Sequence, residues 1–411
     1  MKTLSKSRFV SGVQCEKKLW YSYYRKDLQL PTDEQTQAIF DLGHQIGNLA
    51  QNRFPNGKDA TPEDFSDFSP SIEKTKLWIA EEVETIYEAT FTAKNALCML
   101  DILHRMNDEI WAIEVKNSTS VKDYHLTDAS LQYFVMKEAG YAPDKFFLMH
   151  INNQYIKNGE LTDEFFHLED ITDKVLSKQT WVEENLERLL VMLENKQEPN
   201  ISIGAHCSSP FACDFVHHCW KHIPENSVFE LYRGGNKAWE LYKQGILKIE
   251  DIEDDFPLTH FQHLQRKGLR NQEQYINKEA IKNMISSWQF PLYFFDFETV
   301  FPAIPVLDGT RPYQQVPFQY SLHILEEDGK LSHKEFLAHP EDFSNGKNPL
   351  KLLVEQLKQD FGNEGNIVTY NQSFEVARLN ELANMFPEDA PFLKNLVSRV
   401  VDLLPVFQGG F

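Results

Sequence analysis

Three of the five cysteines in this 411-residue chain fall in one short stretch, CSSPFACDFVHHC, as Cys207, Cys213 and Cys219. Thiolates bind soft and borderline metals, and four of them are the usual complement of a structural zinc or an iron–sulfur cluster. For a four-cysteine site, the fourth ligand is Cys15 or Cys98. Cys98 lies in the apolar run ALCMLDIL, which reads as a buried strand, where a cysteine is a small hydrophobe. Cys15 follows a basic, aromatic segment at the start of the chain. With Cys15, Cys207, Cys213 and Cys219 as ligands, residues 15–219 form one unit with clasped ends. The spacing also permits a zinc knot that uses His206, His217 or His218.

A second set of residues is acidic. ALCMLDILHRM and EIWAIEVKNS are strand-like, with Asn107-Asp108 between them. A two-residue turn there pairs Met106 with Glu109 and, counted outward, sets Asp101 opposite Glu114. Directly opposed side chains lie about 4.5–5.5 Å apart at Cβ, so two carboxylates repel unless something positive sits between them. Lys116 is two residues beyond Glu114, on the same face. A divalent cation held by Asp101 and Glu114, Mg²⁺ or Mn²⁺, with a lysine beside it, is a hydrolytic site for phosphodiesters. Further on, LYFFDFETV reads as a central strand that is apolar almost throughout, broken at i and i+2 by Asp296 and Glu298. Two carboxylates on one face of such a strand are costly unless they bind metal.

The elements that must carry these groups are legible in outline. Ile39, Leu42, Ile46 and Leu49 recur at helical period, and a second helix is expected from Ser69-Pro70 to about Tyr87. The helix LTDASLQYFVMKEAG follows the acidic hairpin. Residues 225–290 read as a polar helical connector whose Arg266, Lys267 and Arg270 form a solvated face or touch a nucleic-acid backbone. Strands at PFQYSLHIL, HKEFLAH and NIVTY, with a helix at about 348–361 and another at NQSFEVARLNELANMF, surround LYFFDFETV.

Composition bounds the rest. The length calls for two or more domains, and 42% hydrophobic with 25% charged residues is ordinary for a globular protein. No apolar run approaches the roughly 20 residues of a membrane span. The amino terminus lacks a signal-peptide core, and clustered cysteines fit a reducing cytoplasm. The net charge of −20 excludes a protein that coats nucleic acid indiscriminately. The charge is uneven, however: residues 1–26 hold seven basic side chains against Glu16 alone. Lys6, Arg8, Lys17, Lys18, Trp20 and Arg25 could supply phosphate contacts and base stacking. The same segment also reads as an amphipathic helix with core aromatics and solvated lysines.

Asp101 followed by Glu114-Val115-Lys116 resembles the PD-(D/E)XK nuclease signature, and the next helix resembles the one that supplies a glutamine in RecB-type members, here Gln132. The opening SKSRFVSGVQCEKKLW resembles the iron–sulfur branch of that superfamily, which includes the CRISPR-adaptation nuclease and AddB-type helicase–nuclease subunits. That resemblance implies a [4Fe–4S] cluster, with zinc as the alternative, on Cys15, Cys207, Cys213 and Cys219. It departs from the pattern in three places. The late cysteines are spaced Cys-x5-Cys-x5-Cys rather than Cys-x2-Cys-x5-Cys. The expected metal-binding histidine falls near Gly47, with His44 three residues away. The tyrosine after the glutamine is Met136.

Asp296-x-Glu298 with Tyr370-Asn371-Gln372-Ser373-Phe374-Glu375 resembles a DEDD-type exonuclease of the ribonuclease H-like fold, with Glu375 in place of the usual aspartate. The last acidic residue of that site belongs on a later helix, so the site is expected to be incomplete by Phe411. Asp402 lies too close to the preceding strand to be the choice for it.

The whole arrangement resembles an uncharacterised bacterial family of two-part nucleases, a domain of unknown function. The resemblance implies an α/β chain: a PD-(D/E)XK restriction-endonuclease-like domain at 1–222, a helical connector at 223–290, and a ribonuclease H-like domain at 291–411, incomplete at its carboxy terminus. It implies a metal-dependent nuclease acting on DNA that is single-stranded or has free ends. The alternative is a catalytically inactive DNA-binding or scaffolding protein. A helicase partner fits, but the chain has no GxxxxGK[ST] loop and is not the motor.

Overall fold

A computed structural model describes residues 2–344 and 347–408. The chain divides into two compact units, residues 1–155 with 161–222, and residues 156–160 with 223–411. Both mix helices with a sheet of mixed strand direction.

The first unit runs β1 (Leu4–Ser5), α1 (Lys6–Gln14), α2 (Glu16–Tyr24), α3 (Glu34–Gln51), β2 (Lys58–Asp59), α4 (Ser69–Ala80), β3 (Thr85–Ala93), β4 (Ala96–Met106), β5 (Glu109–Lys116), α5 (Asp123–Glu138), β6 (Lys145–Ile151), β7 (Phe166–Asp170), α6 (Thr172–Leu176), α7 (Gln179–Glu194) and α8 (Val216–Cys219). Its seven-stranded sheet is ordered β2-β3-β4-β5-β6-β7, with β1 beside the start of β4. The β3–β4–β5 meander is antiparallel, whereas β5 and β6 are parallel and joined through α5. A parallel pair needs such a crossover, because a tight turn cannot reverse the chain twice. Phe9, Leu19, Leu100, Leu131, Phe146, Leu186 and Leu189 share one buried core, which holds α1, α2, α5 and α7 to the sheet.

The register counted from Asn107-Asp108 is the one observed: Met106 pairs with Glu109 and Ile102 with Ile113. The ladder stops there. Beyond it β1 takes the place beside β4, pairing Leu4 with Ala96 and Ser5 with Leu97. Between the two pairings, β4 and β5 part at Asp101 and Glu114.

One expectation is corrected in this unit. The helix from Ser69 ends at Ala80, not Tyr87, and Thr85–Ala93 is a strand. Glu82 takes a left-handed backbone, φ 55°, which stops a helix, and TIYEATF then alternates as strand.

The second unit runs α9 (Asn236–Lys243), α10 (His260–Asn271), α11 (Lys278–Ile285), β8 (Leu292–Val300), β9 (Val316–Leu325), β10 (Leu331–Leu337), α12 (Pro340–Ser344), α13 (Pro349–Asp360), β11 (Ile367–Thr369), α14 (Ser373–Met385), α15 (Ala390–Ser398), β12 (Val400–Asp402) and α16 (Leu404–Gln408). Its five-stranded sheet is ordered β10-β9-β8-β11-β12. An antiparallel meander, β8 to β10, is extended on its other side by two parallel strands. Residues 223–290 form no third unit, although Val228, Leu231, Leu241, Ile249 and Ile252 make a small core of their own. There Arg266 and Arg270 bond the carbonyls of Ile252, Glu253 and Glu250 and the carboxylate of Asp254. Those two arginines stitch the connector together.

The strand LYFFDFETV is not buried throughout, as its composition suggested. Tyr293, Phe295 and Phe297 face the core, while Phe294, Asp296 and Glu298 are exposed. One face packs on helices and the other is open, so the two carboxylates carry no burial cost.

Candidate functional site

The first unit gathers its charged groups where β4 and β5 part. Glu114 is buried at 1% exposure, and its Oε1 accepts from Lys116 Nζ at 2.6 Å and from Lys6 Nζ at 2.8 Å. Lys116 also reaches Asp128 on α5, at 2.7 Å. Lys6 stands on α1, held by the carbonyl of Met99 at 3.2 Å. Asp101 Oδ2 accepts the backbone N–H of Val115 at 2.6 Å, filling the place where the ladder would have continued. The sheet thus presents Asp101, Glu114 and Lys116, while α1 presents Lys6 and α5 a further carboxylate, Asp128.

Glu88 completes the row. Tyr87 pairs with Ile102 and Ala89 with Leu100, so Glu88 on β3 stands opposite Asp101, as Asp101 stands toward Glu114. Three carboxylates line up across three neighbouring strands. The ladder skips Glu88, whose φ of 53° is unusual for a strand residue and local to this site. The sequence held the signal: Lys94-Asn95 is a two-residue turn with both φ positive, and counting from it reaches Glu88 opposite Asp101. Asp128 could have been found one turn before Gln132. Nothing local marked Lys6, which is 108 residues from its partner.

The electrostatics show an excess of negative charge on one side of the row. Burial, and then Glu114, push the Asp101 carboxyl up to about 7, against Lys6 and Lys116. Burial, and then Asp101, push Glu88 up to about 8. Burial also opposes ionisation of Glu114, but Lys116 and Lys6 outweigh it and hold that carboxyl well below the usual range. Burial disfavours the charged forms of Lys116 and Lys6, yet the carboxylates around them raise both above the ordinary lysine value. The carboxylates of Asp101 and Glu88 are thus short of positive charge, while Glu114 is not.

Glu114 Oε2 and Asp128 Oδ1 of this group are buried with no partner among the described residues, as are both ends of the Gln132 amide. Gln132 is fully buried, one turn beyond Asp128. A buried amide without partners costs a few kcal/mol. An ion or water among these oxygens would relieve it. His44 is exposed on α3, and a side chain at Gly47 would meet open space. Met136 is buried in the core.

The four cysteines Cys15, Cys207, Cys213 and Cys219 line one small cavity of about 20 Å³, with His206 beside them. All are free thiols. Cys98 lies apart, fully buried on β4. Burial raises the thiols of Cys15 and Cys219 and pushes that of Cys213 up to about 11. Backbone N–H groups of Lys17 and Lys18, at the start of α2, favour the Cys15 thiolate. Gln14 Nε2 ties α1 to the cysteine loop through the carbonyls of His206 and Phe211, both at 2.7 Å. The donor chemistry fits a four-thiolate metal site. Among the described residues, no group of three or more His, Cys, Asp or Glu side chains is arranged so that it could hold a metal ion as it stands.

Of the other basic-segment residues, Trp20 is buried against Tyr21 and Tyr24, so its indole has no face open to a base. This corrects the stacking expectation: the aromatic ring serves the core. Lys17 pairs with Glu198 at 3.1 Å and Arg25 with Asp27 at 2.9 Å. Arg8 and Lys18 have no carboxylate partner among the described residues.

In the second unit, Asp296 and Glu298 face outward on β8, opposite Ser321 and Gln319 of β9. Glu375 is buried in the first turn of α14, and burial, followed by Asp296 and Asp402, pushes its carboxyl up to about 7. Asp402, set aside from sequence, belongs to this group. Thr369 and Asp402 pair at the ends of two parallel strands, and α14 starts just beyond the first. Parallel neighbours end at the same edge, which sequence distance hides. Asp402 Oδ1 is already occupied by the N–H groups of Asn371 and Leu404, at 2.9 and 2.8 Å.

Residues 293–411 match the family model described as Domain of unknown function (DUF2779). The chain is similar to the uncharacterized protein MG366 homolog of Mycoplasma pneumoniae, 32% identical over 121 residues, which cover 28% of this chain and 18% of that protein. It is similar to the uncharacterized protein UU173 of Ureaplasma parvum, 30% identical over 136 residues, or 31% and 19% of the two chains. The matched stretch thus spans about a fifth of the length of these relatives. The solved structure described as "Crystal structure of SSO0001" aligns at a TM-score of 0.27 and 14% identity, over 53% of this chain and 86% of that one. A TM-score so low carries no argument.

Proposed function

We propose that the chain is a metal-dependent nuclease whose chemistry resides in the first unit. The observation that supports this reading is the row Glu88, Asp101 and Glu114, with Lys116 on the same face and buried oxygens left without partners around it. Carboxylates that repel one another inside a sheet persist where a cation is to be bound. Glu88, Asp101 and Glu114 would hold Mg²⁺ or Mn²⁺. Bound there, the ion would polarise a phosphodiester and lower the pKa of its water. Lys116, steered by Glu114 and Asp128, is placed to neutralise charge that grows on the phosphate oxygens. The Gln132 amide, free at both ends, would orient the water or a phosphate oxygen.

The parted strands, the parallel β5–β6 pair and α5 support a PD-(D/E)XK-like architecture for this unit, with the four-cysteine site as a structural clasp. Cys15, Cys207, Cys213 and Cys219 would hold an iron–sulfur cluster, or zinc. In the second unit, an antiparallel meander extended by two parallel strands, with acids on the first strand and on α14, supports the ribonuclease H-like likeness. There Asp296, Glu298 and Glu375 would bind metal weakly, because two of them are exposed and Asp402 is engaged by backbone.

The test is cleavage of labelled DNA with Mg²⁺ or Mn²⁺ by the whole chain. Asp101→Ala is expected to remove activity, and Asp296→Ala to leave most of it. The opposite pattern would put the chemistry in the second unit. No metal-dependent cleavage by the unaltered chain would favour the DNA-binding alternative.

A further inference from the structure

We propose that a groove along α1 and α2 binds the phosphodiester backbone of a nucleic-acid strand, with Arg8, Lys18 and Lys26 as its cations. The groove has a volume of about 260 Å³, and the hydroxyl-bearing Ser7, Ser11 and Ser22 line it with the three cations. Three different elements supply the positive charge: α1, α2 and the turn that follows α2.

Lys18 is the observation that points to a ligand. Lys18 is 8% exposed and lines both this groove and, on its other side, the cavity of the four cysteines. No carboxylate or hydrogen-bond acceptor meets its ammonium among the described residues. Withdrawing an ammonium from water without a partner is costly, and a protein retains that arrangement when an anion completes it. Arg8 gives one N–H to the Tyr23 hydroxyl at 3.0 Å and lies over that ring, 4.6 Å from its centre. That contact fixes the guanidinium and uses one of its five donors. Lys26 is exposed on the rim. The one acid on the groove, Asp214, is turned to Gln29 Nε2 at 3.2 Å.

The contrast with neighbouring cations selects these three. Lys6, Lys17 and Arg25 of the same segment are ion-paired to Glu114, Glu198 and Asp27. In a chain of net charge −20, a patch of three cations with no carboxylate partner among the described residues is a local attractor for a polyanion. Serine hydroxyls suit phosphate oxygens, and several cations in a row suit a chain of phosphates better than one small anion. The site rests on the nucleic-acid reading above, but its test needs no cleavage.

The experiment is fluorescence anisotropy of a labelled single-stranded 20-mer with the whole chain, without added divalent cation. The variant R8Q/K18Q/K26Q is expected to bind at least tenfold more weakly at 0.1 M salt. The slope of log K against log salt should flatten by about 2, from three phosphates at about 0.7 each. The control K17Q/R25Q, which removes two paired cations, should change affinity less than twofold. Unchanged affinity and slope in the triple variant would overturn the proposal, as would an equal loss in the control or no binding by the unaltered chain. Arg8→Gln alone, at a part-exposed site, carries the test if the triple variant melts early; about a threefold loss is expected, and none would overturn it. Duplex DNA and RNA of the same length identify the strand type, and a similar loss on all three supports a backbone site. If Glu114→Gln cleaves normally while the triple variant loses binding, the nuclease reading falls and the groove stands. If Glu114→Gln is inactive while the triple variant binds normally, the groove falls alone.

Discussion

Glu114→Gln is expected to lower metal-dependent cleavage by at least about 10³-fold and to destabilise the protein by about 2–3 kcal/mol, whereas Asp101→Asn abolishes cleavage just as fully and stabilises the metal-free protein at alkaline pH. The two residues are neighbours with opposite electrostatic surroundings. Glu114 is the counter-charge of both Lys6 and Lys116, at 2.8 and 2.6 Å. Its removal leaves two ammonium groups close together, softened because their side chains are 27% and 22% exposed. Asp101 is in the reverse position, its carboxyl pushed up to about 7 from an ordinary 3.8, chiefly by burial. Between those values the folded protein holds a proton that the unfolded chain has lost. Stability therefore falls as pH rises through that window, and the penalty is complete above about pH 7. Asparagine cannot ionise and still accepts the Val115 N–H. Without metal, Asp101→Asn should melt about 3–5 °C above the unaltered protein at pH 8.5 and with it at pH 4. Saturating Mg²⁺ or Mn²⁺ should reverse the order, since only the unaltered site gains from binding. Thermal melts at both pH values, with and without metal, check this. A variant that melts lower at pH 8.5 without metal would show that Asp101 is charged and satisfied by protein groups alone.

The second large effect concerns the clasp. Cys15→Ser and Cys213→Ser should each deprive the purified protein of its iron or zinc, and lower the melting temperature by more than about 10 °C. Binding a structural metal is worth on the order of 10 kcal/mol of folding free energy, because no preformed site exists in the unfolded chain. Here the site joins α1 and α2 to a loop some 190 residues later, and Gln14 is the additional polar tie. Cys98→Ala should keep the full metal content, because that thiol lies in the core of the sheet. Elemental analysis and colour decide the metal: a brown protein carries iron and sulfide, a colourless one zinc. Full metal content in Cys15→Ser would remove Cys15 from the ligand set and favour His206, which shares the cavity.

The turn at Asn107-Asp108 illustrates what was legible. Two residues and a period of two fixed the register from Met106–Glu109 to Ile102–Ile113, and with it the nearness of Asp101, Glu114 and Lys116. The equal count from Lys94-Asn95 would have yielded Glu88, had TIYEATF been read as a strand and not as the tail of the preceding helix. The exposed face of β8 was illegible, since aromatic residues on both faces read as burial on both.

The sequence by itself determined the local facts: that Cys98 lies in a buried strand, which turn sets the acidic pair side by side, and where helices and strands alternate. These follow from chemistry within a few residues, where turn geometry and side-chain period leave little freedom. Only the tertiary structure decided where β4 and β5 part, and that β1, from the start of the chain, pairs with β4 just beyond that point. It alone brought Lys6 to Glu114, hid Trp20 in the core, and left Lys18 without a carboxylate partner among the described residues. It also set Asp402 beside Glu375, through two parallel strands that end at one edge. Charges acquire their partners through packing over long sequence separations. No spacing rule along the chain encodes which cation is neutralised and which is left for a ligand.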